Sequence, residues 1–121
     1  MTIKSSGSTR QFKTGAQRDS SVGKPRMSLI PDDLMMRVAL WYGLGAEKYG
    51  DDNWRLGQPQ RECLDALKRH LAKWESGDKD EDHLSAVIFN ALSIMNVEQY
   101  FADDEDLLFK PYQKQIRGKQ K

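Results

Sequence analysis

Residues 83–101, HLSAVIFNALSIMNVEQYF, carry apolar side chains on nearly every side of a helix. A helix with one apolar stripe can lie on a surface, but one that is apolar all round must be covered all round. The chain therefore has to surround this segment, which is expected to be the central helix of a small bundle, spanning about 80–101. His83, Val87, Asn90, Ile94, Val97 and Phe101 fall on one stripe, which turns a histidine and an asparagine toward the interior. Buried polar groups need hydrogen-bond partners, so these two positions draw attention first.

Two further helices supply the cover. Pro31 suits a helix start, Asp32 and Asp33 suit the positive end of the helix dipole, and Leu34, Val38, Trp41 and Gly45 follow at helical spacing, so a helix is expected over 31–49. Gly43 and Gly45 weaken its interior by about 1 kcal/mol each, which points to close approach of a backbone or a ligand. A second helix is expected from Pro59 to Ser76, with Cys63, Ala66, Leu67, His70 and Trp74 on one side and Glu62, Asp65, Arg69 and Lys73 on an adjoining polar arc. Cys63 reads as a packed thiol. The short turn between the second and third helices makes them antiparallel, which brings His70 and His83 to similar heights. Before the first helix, the prolines of GKPRMSLIP (23–31) bracket Leu29 and Ile30, expected as an extended segment anchored on the core.

The fold class expected is all-α, one domain over 23–109 between disordered basic tails at 1–22 and 110–121, with Leu107, Leu108, Phe109 and Tyr112 able to dock as a short fourth element. Charge is unevenly spread. Residues 1–26 carry six Lys/Arg against Asp19, residues 110–121 carry five and no acid, and 27–109 holds eight basic against seventeen acidic residues. An acidic body argues against a sequence-specific nucleic-acid surface there, because phosphate binding needs excess Lys/Arg, and it suits a divalent cation. No apolar run has the length of a membrane span, and the N-terminus lacks the apolar segment of a secretory signal. A cytoplasmic location is expected.

The stretch GAEKYGDDNW (45–54) gathers chemistry at a helix end. Lys48 can neutralise a phosphate, Asn53 can read a base edge, and Tyr49 and Trp54 are flat rings on which a base can stack. The same aromatics would also serve a core, with Lys48 set against the helix dipole. Carboxylates suit Mg²⁺ or Mn²⁺ bridging protein oxygens to phosphates. The candidates are Glu62 and Asp65 on the second helix and Asp78, Asp80, Glu81 and Asp82 before the third, the two groups meeting on one ion only if the turn folds back. Asp80 or Asp82 could equally cap the third helix. His70 and His83 could instead hold a transition metal with Asp80 or Asp82.

Through GKPRMSLIP (23–31), GAEKYGDDNW (45–54), RHLAKWESGDKDEDHL (69–84) and NAL (90–92), the chain resembles the dATP/dGTP diphosphohydrolase family, the MazZ-like proteins of bacteriophages. The resemblance covers roughly 12–100. It implies an all-α pyrophosphohydrolase related to MazG and the all-α dUTPases, cleaving a purine deoxynucleoside triphosphate to monophosphate and pyrophosphate with Mg²⁺, Mn²⁺ or Co²⁺. MazG-type relatives carry E-x-x-E on one helix and E-x-x-D on the next. Here Glu62-x-x-Asp65 and Asp78-x-x-Glu81 are partial counterparts, and the third helix carries His83 and Asn90 instead of two mid-helix carboxylates. The site expected on this basis has Lys24, Arg26, Lys48 and Arg69 on phosphate and Tyr49, Asn53, Trp54, His70 and Asn90 around the nucleotide. His83 and Asp80 act in catalysis, and metal is bound by some of Glu62, Asp65, Asp78, Asp80 and Asp82. A homo-oligomer is expected, since three helices leave much surface. The competing class is a non-catalytic nucleotide-binding or interaction module.

Overall fold

The computed structural model describes residues 7–101, 103 and 107–112. These fall into two compact units, residues 7–27 and 28–112, each described by itself.

The first unit contains a hairpin where a disordered tail was expected over 1–22. Strands β1 (Thr9–Gln11) and β2 (Gln17–Asp19) pair antiparallel, with Thr9 opposite Asp19 and Gln11 opposite Gln17. The turn closes through Phe12 N–H to the Ala16 carbonyl at 2.8 Å and Gly15 N–H to the Phe12 carbonyl at 2.9 Å, with Gly15 at φ +92°. Composition hides such an element because backbone hydrogen bonds and a turn glycine hold it, with Phe12 its one large apolar residue. The segment 23–31 is corrected as well. Met27–Leu29 form one turn of 3₁₀ helix, and Leu29 and Ile30 are 66% and 44% exposed instead of anchored in the core.

In the second unit, α1 (Asp32–Tyr49) begins after Pro31 with two aspartates in its first turn and stops at Gly50, whose φ of 91° no β-carbon residue adopts readily. One turn of 3₁₀ helix at Asn53–Leu56 follows, then Gly57, whose missing side chain lets the Phe101 ring approach to 3.2 Å of where a β-carbon would stand. Helix α2 (Gln60–Glu75) and helix α3 (His83–Tyr100) lie antiparallel: Gln60 reaches the Ile94 carbonyl at one end, and His70 meets His83 near the connecting turn.

The central role expected of α3 is what the structure shows, but its buried face is largely polar and small. His83, Ser85, Ala86, Asn90, Ser93, Asn96 and Val97 are buried along it, with Val38 from α1 and Cys63 from α2. The polar members are satisfied: Asn90 donates to the Ala86 carbonyl, Ser93 to the Phe89 carbonyl, and Asn96 to the Trp54 and Arg55 carbonyls. Asn96 thus ties the Asn53–Leu56 turn to α3. Residues 107–112 form no helix; Leu108 N–H donates to Gln60 and Tyr112 N–H to Glu98. The tail beyond residue 112 lies outside the described residues. Among the described residues, no helix is long and apolar enough to cross a membrane.

Candidate functional site

A cleft of about 690 Å³ opens between the C-terminal half of α1, the Asn53–Leu56 turn and the middles of α2 and α3. That volume lies within the range of small-molecule sites. Most of GAEKYGDDNW lines it, because Gly50 stops α1 and the chain turns back through Asp52, at φ 60°, into the 3₁₀ turn.

One wall is aromatic. Tyr42 packs edge-on against Phe89, with centroids 4.9 Å apart, and against Trp54 at 5.6 Å, while Trp54 and Phe89 are 6.2 Å apart. The Tyr42 hydroxyl is buried with no hydrogen-bond partner, and burial raises its pKa. Asn53, Gln58 and Asn90 bring amides to the same cleft. Gln58 accepts from the buried Cys63 thiol at 3.5 Å, and burial pushes the pKa of that thiol up. Lys48 and Tyr49 stand at the rim, both exposed, with the ammonium 5.3 Å from the ring centroid. Gly43 and Gly45 also line the cleft, and no backbone crowds them: open space faces both.

His70, half-buried, and Glu81, exposed, also line the cleft. Behind them His83, 2% exposed, is bonded through both ring nitrogens. Nε2 lies 2.8 Å from Asp80 Oδ1 and 3.5 Å from Asp78, and Nδ1 lies 2.9 Å from His70 Nδ1. A carboxylate only accepts, so Nε2 carries the proton and donates to Asp80, which leaves Nδ1 of neutral His83 as a lone pair. The proton shared with His70 is then His70's own. Burial lowers the His70 pKa, Glu81 raises it, and His83, Lys73 and Arg69 lower it further. Asp78 is held down to about 2, chiefly by the Asp80 backbone N–H, with the Asp80 and His83 side chains adding to it.

Two groups of donors could hold a metal ion among the described residues: His70, Glu81 and His83, and Asp78, Asp80 and His83, each with one atom per residue within 4.8 Å of the others. Both contain His83; neither is made of oxygen alone. Glu62 and Asp65 lie toward the start of α2, about 15–20 Å along the helix from its far end at 1.5 Å per residue, so the turn does not bring them to Asp78 and Asp80. Asp82 is committed elsewhere. It caps α3 by accepting from Ser85 N–H and hydroxyl, and it receives two bonds from the Arg37 guanidinium at 2.7 and 2.8 Å. Arg69 is exposed and does not line the cleft. Lys24 and Arg26 belong to the other unit.

Tyr42, Gln58 and Phe89 were not among the expected site residues, whereas Glu81 was one of the candidate carboxylates. Tyr42 stands one turn before Ala46 and two before Tyr49 on α1, so the helical repeat held a signal for it, whereas Phe89, next to Asn90 on α3, carried none of that kind.

The Arg37–Asp82 pair gives a pH prediction. Arg37 and Ser85 hold the Asp82 carboxyl well below its ordinary 3.8, so the folded state binds this proton less readily than the unfolded chain. The stabilisation is complete above the unfolded value and is lost as pH falls from about 4 toward the folded one. Both partners are partly exposed, at 53% and 29%, so solvent screening keeps the contribution of the pair small. Arg37→Gln should lower the thermal midpoint at pH 7 and make the midpoint fall less steeply between pH 5 and pH 2 than in the wild type. Parallel curves for the two proteins would contradict the assignment.

The described chain is thus a small, mostly helical protein with an aromatic, amide-lined cleft, two of whose lining residues, His70 and Glu81, belong to a mixed histidine–carboxylate group. A family model described as dATP/dGTP diphosphohydrolase, N-terminal, matches residues 14–106. The chain belongs to this family. No curated protein and no solved structure matches it.

Proposed function

We propose that the cleft binds a purine deoxynucleoside triphosphate and that the protein hydrolyses it to the monophosphate and pyrophosphate. The observation that carries this reading is that one cleft holds a stacking wall, base-reading amides, a rim lysine and two members of a metal-capable group. Trp54, with Tyr42 and Phe89 behind it, receives the base, and Asn53, Gln58 and Asn90 meet its edge. Lys48 neutralises phosphate charge at the rim. Lys24 and Arg26 are proposed for the phosphates from their sequence motif alone.

The reaction forms a bond from water oxygen to the α-phosphorus and breaks the bond from the α-phosphorus to the bridging oxygen, so that pyrophosphate leaves and a proton is released. The divalent cation, Mg²⁺, Mn²⁺ or Co²⁺, would be held by one of the two donor groups that share His83 and would supply charge neutralisation and a more acidic water. His83 and Asp80 lie one layer behind the cleft. Their proposed part is to hold the cleft-facing His70 in position, through the Asp80–His83–His70 chain of hydrogen bonds. A second copy of the chain is proposed on α1, an 18-residue helix of which Val38 is buried, while Met36, Leu40 and Leu44 stand 69%, 74% and 61% exposed in one row.

The test is product separation after incubation with each deoxynucleoside triphosphate and each cation. Monophosphate with pyrophosphate, from purine substrates first, is expected. Orthophosphate with diphosphate would overturn the reading, and tight binding without turnover would place the chain among non-catalytic modules.

A further inference from the structure

We propose that His70, Glu81 and His83 bind one first-row transition-metal ion of the class that accepts imidazole nitrogen, in preference to Mg²⁺. The proposal deepens the reading of the cleft as a hydrolytic site, and it is tested by metal binding without substrate, so each can fail while the other stands.

The spacing is the first argument. Two imidazole nitrogens bound at about 2.0–2.1 Å to one tetrahedral ion lie roughly 3.3 Å apart, a few tenths of an ångström wider than a hydrogen-bonded pair of ring nitrogens. The Nδ1 atoms of His70 and His83 are 2.9 Å apart, and a Glu81 oxygen completes a triad whose atoms all fall within 4.8 Å. Without metal this spacing holds one shared proton; an ion replaces that proton and takes both lone pairs.

The second argument is the support behind the ligand. A metal-bound histidine nearly always donates its other N–H to a carboxylate or carbonyl, which fixes the ring and raises its basicity. His83 does so through Nε2 to Asp80, and Asp80 N–H in turn bonds Asp78. The Arg37–Asp82 clamp fixes the start of α3, of which His83 is the first residue. The rival group of Asp78, Asp80 and His83 would use the opposite nitrogen, Nε2, and would have to give up the Asp80 hydrogen bond to do so. Geometry therefore favours the Nδ1 side, where His70 and Glu81 also line the cleft.

The third argument is donor class. Mg²⁺ takes oxygen ligands and sheds water reluctantly, whereas imidazole suits the later first-row ions. Two nitrogens in three protein ligands exclude the oxygen-only set that the resemblance led us to expect, and Glu62 and Asp65 are too far along α2 to restore it.

Co²⁺ serves as the probe, because its visible absorption reports ligand set and geometry in the full-length protein with no nucleotide present. One equivalent should bind, persist in a large excess of Mg²⁺ and be displaced by Zn²⁺. Asp80→Asn should weaken binding about 10- to 100-fold, the range for loss of a supporting carboxylate. His70→Ala and Glu81→Gln should weaken it at least as much and change the spectrum. Asp78→Asn should stay within a few-fold of wild type. Circular dichroism and thermal midpoint accompany each variant; His70 and Glu81 are only partly buried or exposed, so their loss leaves a folded protein to measure. Absence of Co²⁺ binding, displacement by Mg²⁺ at comparable concentration, or loss in Asp78→Asn with His70→Ala unchanged would each overturn the proposal.

Discussion

Trp54→Ala should weaken binding of a purine triphosphate by about 1–3 kcal/mol, the range for base–aromatic stacking, read as a rise of roughly 5- to 150-fold in KM. The ring sits in a three-ring wall with Tyr42 and Phe89, and the Arg55 guanidinium lies 5.2 Å from its centroid. It is half-buried and lines the cleft. Its removal must therefore cost some packing, but less than the about 3–5 kcal/mol typical of a fully enclosed aromatic. A conservative comparison separates the two parts: Trp54→Phe keeps a stacking face and most of the contact with Phe89, and should restore KM more completely than it restores the thermal midpoint. If Trp54→Ala leaves KM unchanged while the midpoint falls, the ring is a structural element and the base lies elsewhere.

The second large effect is on stability. His83→Ala should destabilise the protein by about 2–4 kcal/mol, from the space left by the ring and two lost hydrogen bonds. The loss stays within that range because Asp80, 59% exposed, is rehydrated once its partner is gone. For a domain of this size that is a fall of roughly 10–25 °C in midpoint. The same substitution should abolish Co²⁺ binding, whereas His70→Ala, at the partly exposed end of the same chain of bonds, should lose the metal with a smaller drop in midpoint. An unchanged melting curve in His83→Ala would contradict the double anchoring of this ring.

What the sequence made legible follows from how local its signals are. Pro31, Gly50, Pro59 and Ser76 punctuate the helices within a residue or two of where they begin and end, and the short 76–82 turn forces α2 and α3 into register, so the meeting of His70 and His83 could be read from spacing. The role of GAEKYGDDNW as cleft wall was readable because the helix ends inside it. Contacts between residues far apart in the chain were not. The Arg37–Asp82 pair spans 45 positions and removes Asp82 from the carboxylates free to meet an ion. Asn96 reaches back to Trp54 and Arg55 across about as many. Glu62 and Asp65 looked like partners of the acidic turn because the resemblance pairs an acidic motif on one helix with another on the next, yet the rise of α2 separates them. The hairpin at 9–19 escaped because its stability lies in backbone hydrogen bonds that composition does not register.

In the proposed reaction, water attacks the α-phosphorus of a purine deoxynucleoside triphosphate in this cleft. Hydrolysis in ¹⁸O-labelled water, with the products separated and weighed by mass spectrometry, tests it most directly. The account predicts one labelled oxygen in the monophosphate and none in the pyrophosphate, with the rate lowered in Trp54→Ala at subsaturating substrate. Label in pyrophosphate, release of orthophosphate from the intact triphosphate, or no product with any of the purine nucleotides and cations would contradict it.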